Sequence, residues 1–444
     1  MWCILSLRRK QIPGGLRDYL PEELARRRAL ERRITEVFNR WGYREVVTPT
    51  FEFVDVLESQ TGYALKGSTY RFFDPDGELV ALRPEMTTPI ARLVSTRMRT
   101  ELDPGRFWYL ANVFRYADPE VGHRREFYQA GVEIIGSGSV FADAESIALC
   151  IDCLDGCGLR GFGIDIGHMG FVNGLMRDIG LEDRVSSAVK AALLRQDLVG
   201  LKSIVGELGL SKRDNERLLA LGDLRGDESI LVAGADIAGN SEQALSALDD
   251  LKKVVSRLRS LGAMGPVSID LGLVKNFDYY TGVIFQGHAF GVGYDICGGG
   301  RYDNLLAQFG YDSPSTGFAI GIERVLAAVE QGNPDLLNEP RTVSGVVTFE
   351  ESLEPVALAD TKRLRQSGIV VEVELDARPL DTIFERAVRI GRSFVLSYSR
   401  GTDGLRCDVF VRGENREQIA SRLREVLPSR RFFLSCLETD HTER

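Results

Sequence analysis

Histidine is scarce in this chain, with 4 residues in 444. The four stand singly, with no paired spacing of the kind a metal site needs, and none sits beside a serine or cysteine in a nucleophile arrangement. The 7 cysteines show no paired framework. Cys150, Cys153 and Cys157 fall near one face of a helix, but no neighbouring Cys or His supplies a fourth zinc ligand, so they read as buried thiols. No apolar run approaches the ~20 residues that a membrane-spanning helix needs. At the start, Arg8-Arg9-Lys10 follow a short apolar stretch. That order is the reverse of a secretory signal, and a cytoplasmic protein is expected. Basic charge is not in excess: the formal net charge of -9 gives no global attraction to phosphate backbones, which argues against a general nucleic-acid binder. Repeats and low-complexity tracts are missing as well.

What is present describes an ordinary globular chain, 44% hydrophobic and 27% charged, long enough for two domains or for one with a large insertion. Pro21-Glu22-Glu23 opens a segment with apolar residues at three-to-four spacing, a helix with its start signal in place. A strand is expected over Gly42-Tyr-Arg-Glu-Val-Val-Thr-Pro49. Strands are also expected over Arg106–Tyr116 and Glu126–Ile135, with a polar loop between them. Residues from about 170 to 262 turn nearly all helical and read as an insertion. Strand signals return at Val267-Ser-Ile-Asp-Leu-Gly and Tyr280-Thr-Gly-Val-Ile-Phe-Gln, and a helix begins near Gly321. Asn333 to Arg341 reads as a linker. Residues 341–430 then alternate strand and helix patterns, as a small α/β domain does.

Three clusters could carry chemistry. Gln129, Gly131 and Glu133 alternate along one strand and so share a face. Gly131 leaves a gap between an amide and a carboxylate, which suits a small ligand, although Glu133 could equally be solvated on an open face. Asp278-Tyr279-Tyr280 and Leu82-Arg83-Pro84-Glu85-Met86-Thr87 are the other two, and aromatic pairs in strands are usually core. Gly298-Gly-Gly-Arg-Tyr-Asp303 is glycine-rich but is not followed by Lys-Ser or Lys-Thr. A tight bend or close backbone approach explains it better than a phosphate cradle.

Taken in order, Gly42-Tyr-Arg-Glu-Val-Val-Thr-Pro, Phe114-Arg-Tyr, Arg125-Glu-Phe-Tyr-Gln-Ala-Gly-Val-Glu, Asp278-Tyr-Tyr-Thr-Gly, Gly299-Gly-Arg-Tyr-Asp and Gly317-Phe-Ala-Ile-Gly-Ile-Glu-Arg form a pattern. Over most of residues 12–330 it resembles the class II aminoacyl-tRNA synthetases, specifically the histidyl branch. The resemblance implies an α+β fold: a class II core on an antiparallel sheet (residues 1–332), the helical insertion, and the small C-terminal α/β domain. It also implies a pocket for free histidine at Glu85, Thr87, Arg115, Gln129, Glu133, Tyr279 and Tyr280. The chemistry agrees, because an ammonium and an imidazole want carboxylates and a phenol, while a carboxylate wants an arginine.

The match breaks on the ATP side. The family motif Phe-Arg-x-Glu has Ala117 in its last place, a loop arginine is replaced by His123, and the arginine of Arg-Gly-Leu-Asp-Tyr-Tyr is Lys275. Lysine keeps the charge but loses the planar fork that grips two oxygens, so efficient adenylate formation is not expected. Arg324 is retained. Leu82-Arg-Pro-Glu-Met-Thr-Thr-Pro-Ile-Ala-Arg92 and the insertion resemble the non-catalytic relative of this family, the regulatory subunits of ATP phosphoribosyltransferase. That likeness implies a hetero-oligomer with a short catalytic subunit of the first step of histidine synthesis. It further implies a homodimeric core, feedback by free histidine, and no cofactor or metal. Two rivals stand beside it: a divergent histidyl-tRNA synthetase, and a histidine- or tRNA-sensing module of another assembly.

Overall fold

The computed structural model describes residues 11–58, 67–101, 104–116, 124–277, 279–338, 343–402, 404–411 and 415–435. Ala117, His123 and Asp278, together with part of the linker, lie outside these. The chain separates into two compact units, Met1–Asn338 and Glu339–Arg444.

The first unit opens with helix α1 (Pro21–Arg40). Proline sits at its start, Glu22 and Glu23 lie in its first turn and Arg40 in its last, so the charges complement the helix dipole. Its strands are β1 (Arg44–Glu45), β2 (Phe51–Phe53), β3 (Arg71–Phe73), β4 (Leu79–Leu82), β5 (Gly105–Phe114), β6 (Glu126–Ile135), β7 (Phe162–His168), β8 (Arg225–Gly226), β9 (Val267–Asp270), β10 (Val283–Ala289), β11 (Cys297–Arg301) and β12 (Ser315–Gly321). Nine of them make one sheet in the order β1-β5-β6-β12-β11-β10-β7-β9-β8, while β2, β4 and β3 form a small separate sheet. The centre of the large sheet is antiparallel, as expected, but β1 pairs with β5, and β7 with β9, in parallel. The strand expected over Gly42–Pro49 contracts to β1, which touches only Phe107 and Trp108 of β5. The strand expected from Tyr280 starts only at Val283, which leaves Tyr279 and Tyr280 in the preceding turn.

One face of the sheet is covered by α1 and by helix α4 (Val140–Gly156), with helices α2 (Val54–Glu58) and α3 (Thr87–Arg97) between them in sequence. Helix α4 is mostly buried; Cys150 and Cys153 are among its core side chains, and the buried Cys157 caps its C-terminus. Burial pushes all three thiols up, Cys157 to about 12, which makes them poor nucleophiles. The helical stretch resolves into α5 (Met169–Ile179), α6 (Asp183–Leu194), α7 (Leu198–Glu207), α8 (Lys212–Ala220), α9 (Ile230–Ala238) and α10 (Glu242–Ser260). The insertion is stitched back to the sheet by β8 on β9 and by the Arg225 guanidinium, 2.5 Å from the buried Asp165 carboxylate. Helix α11 (Ile322–Gly332) closes the unit.

The second unit has β13 (Ser344–Phe349), α12 (Glu354–Gln366), β14 (Val370–Val373), α13 (Leu380–Arg389), β15 (Phe394–Gly401), β16 (Gly404–Val411), α14 (Arg416–Val426) and β17 (Phe432–Ser435). Its sheet runs β14-β13-β15-β16-β17, with only β15–β16 antiparallel. At its centre the fully buried Asp360 accepts from Arg430 at 2.5 Å and from the Tyr398 hydroxyl at 3.2 Å.

Arg301 is the first unit's internal brace. Nearly buried, it binds Asp143 of α4 at 3.0 Å, Asp303 at 3.1 Å and the carbonyls of Ser137 and Ser139. Burial pushes the Asp143 carboxyl up to about 6 even with this partner present. Removing one partner of a buried pair strands the other, at a cost of ~3–5 kcal/mol. Arg301→Ala is therefore expected to lower the first unit's unfolding free energy by about that much in a urea titration at pH 7. A change below ~1 kcal/mol would contradict the brace.

Candidate functional site

Cross-strand register builds the site. In neighbouring strands, directly opposed residues share a face. Gly131 of β6 lies opposite Tyr109 of β5 on one side and Ala319 of β12 on the other; Ala319 opposes Gly298 of β11, and Gly298 opposes Gln286 of β10. The row Tyr109, Gly131, Ala319, Gly298, Gln286 therefore has side chains at its ends and almost none in its middle. The next row holds Glu133 opposite Gly317, and a methyl on Gly317 would strike the Glu133 carboxylate. Over this bare floor lies a cavity of about 800 Å³, within the ~300–1,000 Å³ of typical small-molecule sites. The gap expected over Gly131 is not where a ligand would sit, because the phenol of Tyr109 fills it. Gly131 does not line the cavity, whereas Gly317 and Ala319 of β12 and Gly298 of β11 do.

All seven residues expected to form the amino-acid pocket line this cavity: Glu85, Thr87, Arg115, Gln129, Glu133, Tyr279 and Tyr280. Glu85 is fixed by the start of α3, where its carboxylate accepts the backbone N–H of Thr87 at 2.6 Å and of Thr88 at 3.0 Å, as a helix N-terminus favours. Arg115 donates to the Pro84 carbonyl at 2.8 Å and lies near the rings of Phe127 and Phe277, 5.3 and 5.7 Å from their centroids. Tyr279 stacks on Phe277 at 5.1 Å and tilts against Tyr280 at 4.8 Å. These rings make one apolar wall.

Glu133 is 1% exposed, so it is not the solvated residue that its strand position alone allowed. Its two oxygens accept from the Thr87 hydroxyl at 2.9 Å and from the Tyr302 hydroxyl. Burial pushes its carboxyl up to about 8, and the two hydroxyls offset only part of that rise. Tyr302 was hidden in the glycine-rich segment, which reads as a bend; only the fold brings it under Glu133.

The cation side is also assembled. The Lys275 ammonium lies over Gly298, donates to Gln286 at 3.1 Å and stands 3.8 Å from Asp295. Burial lowers its pKa, with Asp295 opposing. Arg324 donates to the Asp295 carbonyl at 2.6 Å and covers the Tyr294 ring. Arg124 binds the Tyr19 hydroxyl at 2.7 Å, and Tyr19 in turn donates to Glu323 at 2.9 Å. The insertion supplies a further wall through Gln196, Leu198, Leu221 and Arg225, residues that read as helix surface or core in the sequence. Among the described residues no group of carboxylates, thiols and imidazoles could hold a metal, and no helix is long and apolar enough to cross a membrane.

The antiparallel sheet, with its floor of small residues walled by carboxylates, hydroxyls, tyrosines and arginines, is the core of a class II synthetase-type fold. Comparison with known proteins agrees: the family described as histidyl-tRNA synthetase matches residues 15–325. An ATP phosphoribosyltransferase regulatory subunit of Moorella thermoacetica is 41% identical over 86% of this chain and 96% of its own length. One of Desulforamulus reducens is 40% identical over 89% and 97%. A crystal structure from Bacillus halodurans, described as an ATP phosphoribosyltransferase regulatory subunit/histidyl-tRNA synthetase, superposes with a TM-score of 0.77. It shares 32% identity and covers 85% of this chain and 96% of that one. The chain belongs to the histidyl-tRNA synthetase family, in the branch of the ATP phosphoribosyltransferase regulatory subunits.

A raised folded-state pKa has a definite sign. The Glu133 contribution to stability is fully present below the ordinary carboxyl value of ~4.3 and is lost as pH rises through about 8. Glu133→Gln cannot ionise. The ligand-free variant is therefore expected to gain in melting temperature relative to the parent on going from pH 6 to pH 9. Parallel melting curves across that range would show that the carboxyl is not held neutral.

Proposed function

We propose that this chain is a regulatory subunit of ATP phosphoribosyltransferase that binds free histidine in the cavity described above and does not itself form an adenylate. The names of its relatives support the first part, and the cavity's composition supports the second. The observation that carries the reading is the contrast between the cavity's two sides. On the amino-acid side, every expected group converges on one floor, with Glu133 held by two hydroxyls. On the phosphate side, Lys275 is a single point charge already engaged by Gln286 and Asp295. Its ammonium is also easier to neutralise than an exposed one, because burial disfavours the charged form. Stabilising charge on a reacting phosphate needs donors that are free and preorganised, and an arginine fork does this better than a lysine.

On this reading the subunit acts on a separate catalytic chain, and histidine in the cavity reports the level of the end product. The first unit would form a homodimer. Support comes from the small sheet of β2, β4 and β3, where Phe51, Phe53, Phe72 and Phe73 are all exposed, an apolar surface of the sort that marks an interface. The second unit carries arginines 5.0 and 5.3 Å from the Phe433 ring, but most of its other basic side chains are matched by acids, as in the network of Arg386 and Arg392 with Glu372 and Glu374. That balance favours a role in assembly over reading nucleic acid.

The test is twofold. Histidine-dependent exchange of pyrophosphate into ATP is expected to be undetectable at synthetase-like rates. In calorimetry, histidine is expected to bind the parent and to bind Glu133→Gln roughly 10- to 100-fold more weakly, as the loss of a charge-assisted hydrogen bond predicts. Robust exchange that Lys275→Ala abolishes would reverse the assignment in favour of a ligase.

A further inference from the structure

We infer that Lys275 is a site of reversible covalent modification, its amine forming an imine with an aldehyde that carries a phosphate. The inference concerns the phosphate side of the cavity and stands whether or not histidine binds at Glu133.

A guanidinium stays protonated in proteins and is no nucleophile, whereas a lysine amine that sheds its proton is one. Lysine in the place of an arginine therefore removes a fork and introduces a latent nucleophile. The structure gives that nucleophile a place to act. The Lys275 side chain is 14% exposed and lines the cavity. Its nitrogen lies over Gly298, where a methyl would come within 3.1 Å of it, so the bare floor is what gives the amine room. Its ammonium donates to the neutral oxygen of Gln286 at 3.1 Å, and the Asp295 carboxylate stands 3.8 Å away. Burial favours the uncharged amine over the ammonium. An exposed lysine is held the other way. Lys253 of α10 pairs with Asp249 at 2.7 Å and Asp250 at 3.3 Å, and both keep its ammonium above the usual range.

A neighbouring group selects what reacts. Asp295 also anchors Arg324, whose guanidinium donates to its carbonyl at 2.6 Å and lines the same cavity. An arginine has five donors, and a planar fork suits phosphate oxygens. An amine and a guanidinium held by one residue fit a molecule that is electrophilic at one end and anionic at the other. The step balances without a further reagent. Once the ammonium has given one proton to solvent, its lone pair attacks the carbonyl carbon. A C–N bond forms while the C=O π pair moves to oxygen. The two protons left on nitrogen pass to that oxygen, with the Asp295 carboxylate placed to relay them, and it departs as water. The product is a C=N imine; nothing is oxidised or reduced, and water reverses the step.

The probe is pyridoxal 5′-phosphate on the full chain, with borohydride reduction to fix the imine and peptide mass spectrometry to locate it. Lys275 is expected to be labelled roughly 10-fold faster than the exposed Lys253. Pyridoxal, which lacks the phosphate, is expected to react at Lys275 roughly 10-fold more weakly. Lys275→Arg, which keeps the charge, is expected to lose the visible imine band at low probe concentration. Arg324→Gln is expected to remove the advantage of the phosphate and to leave the reaction with pyridoxal in place. Protection of Lys275 by D-glyceraldehyde 3-phosphate would assign the site to open-chain sugar phosphates, and no protection would assign it to ring-bearing aldehydes. Labelling of Lys275 no faster than Lys253 would overturn the inference, as would an imine band unchanged in Lys275→Arg. Equal reaction of pyridoxal and its phosphate would overturn the choice of a phosphorylated ligand.

Discussion

A carboxyl group buried on the face of an antiparallel sheet organises the first unit. Glu133 can be taken out of water only if its oxygens are met, and the two groups that meet them come from far along the chain. Thr87 opens helix α3, and Tyr302 follows β11. Its other neighbour, Gly317 of β12, has to be a residue with no side chain at that point. One desolvated group thereby ties three segments to β6. The segment that supplies Tyr302 also supplies Arg301, whose brace to Asp143 pins the sheet to helix α4. The cavity floor and the core behind it are held by adjacent residues.

The same arrangement explains why the site is poised. Its two hydroxyl partners do not cancel the cost of burying Glu133, so the ligand-free pocket holds the group near neutrality at about 8. A ligand that brings a proton donor or a cation supplies what the protein alone does not. Glu85 differs because the backbone N–H groups of α3 fix it in advance. One carboxylate is set by the fold and the other responds to what binds. The insertion closes the far side through Leu198 and Leu221, and Arg225 on the buried Asp165 ties that wall to the sheet.

Much of this was legible in the sequence, for physical reasons. Period-two alternation placed Gln129 and Glu133 on one face, and Pro21 with its acids placed α1. The ordered motifs gathered seven pocket residues that no spacing rule could have joined across almost 200 positions. What escaped was anything that depends on cross-strand register. Gly131 looked like an opening because a glycine says only that space exists, not which neighbour takes it; Tyr109, opposite in register, does. Gly298, Gly317 and Ala319 form the real floor, yet small residues carry no chemical signal. Tyr302 was masked by its glycine-rich surroundings. Leu198 and Leu221 look like any helical core leucine until the insertion folds back. In the second unit the expected alternation of strand and helix breaks at β15 and β16, two successive strands that pair antiparallel.

The central claim is that histidine held at Glu133 of this chain governs a reaction carried out on another. The most direct measurement is the ATP phosphoribosyltransferase activity of a short catalytic subunit from the same organism, alone and with this chain, across a histidine titration. The account predicts that the parent chain raises activity and confers histidine inhibition. It also predicts that Glu133→Gln still raises activity but shifts inhibition to roughly 10- to 100-fold higher histidine. A catalytic subunit indifferent to this chain, or a histidine response unchanged by Glu133→Gln, would contradict it.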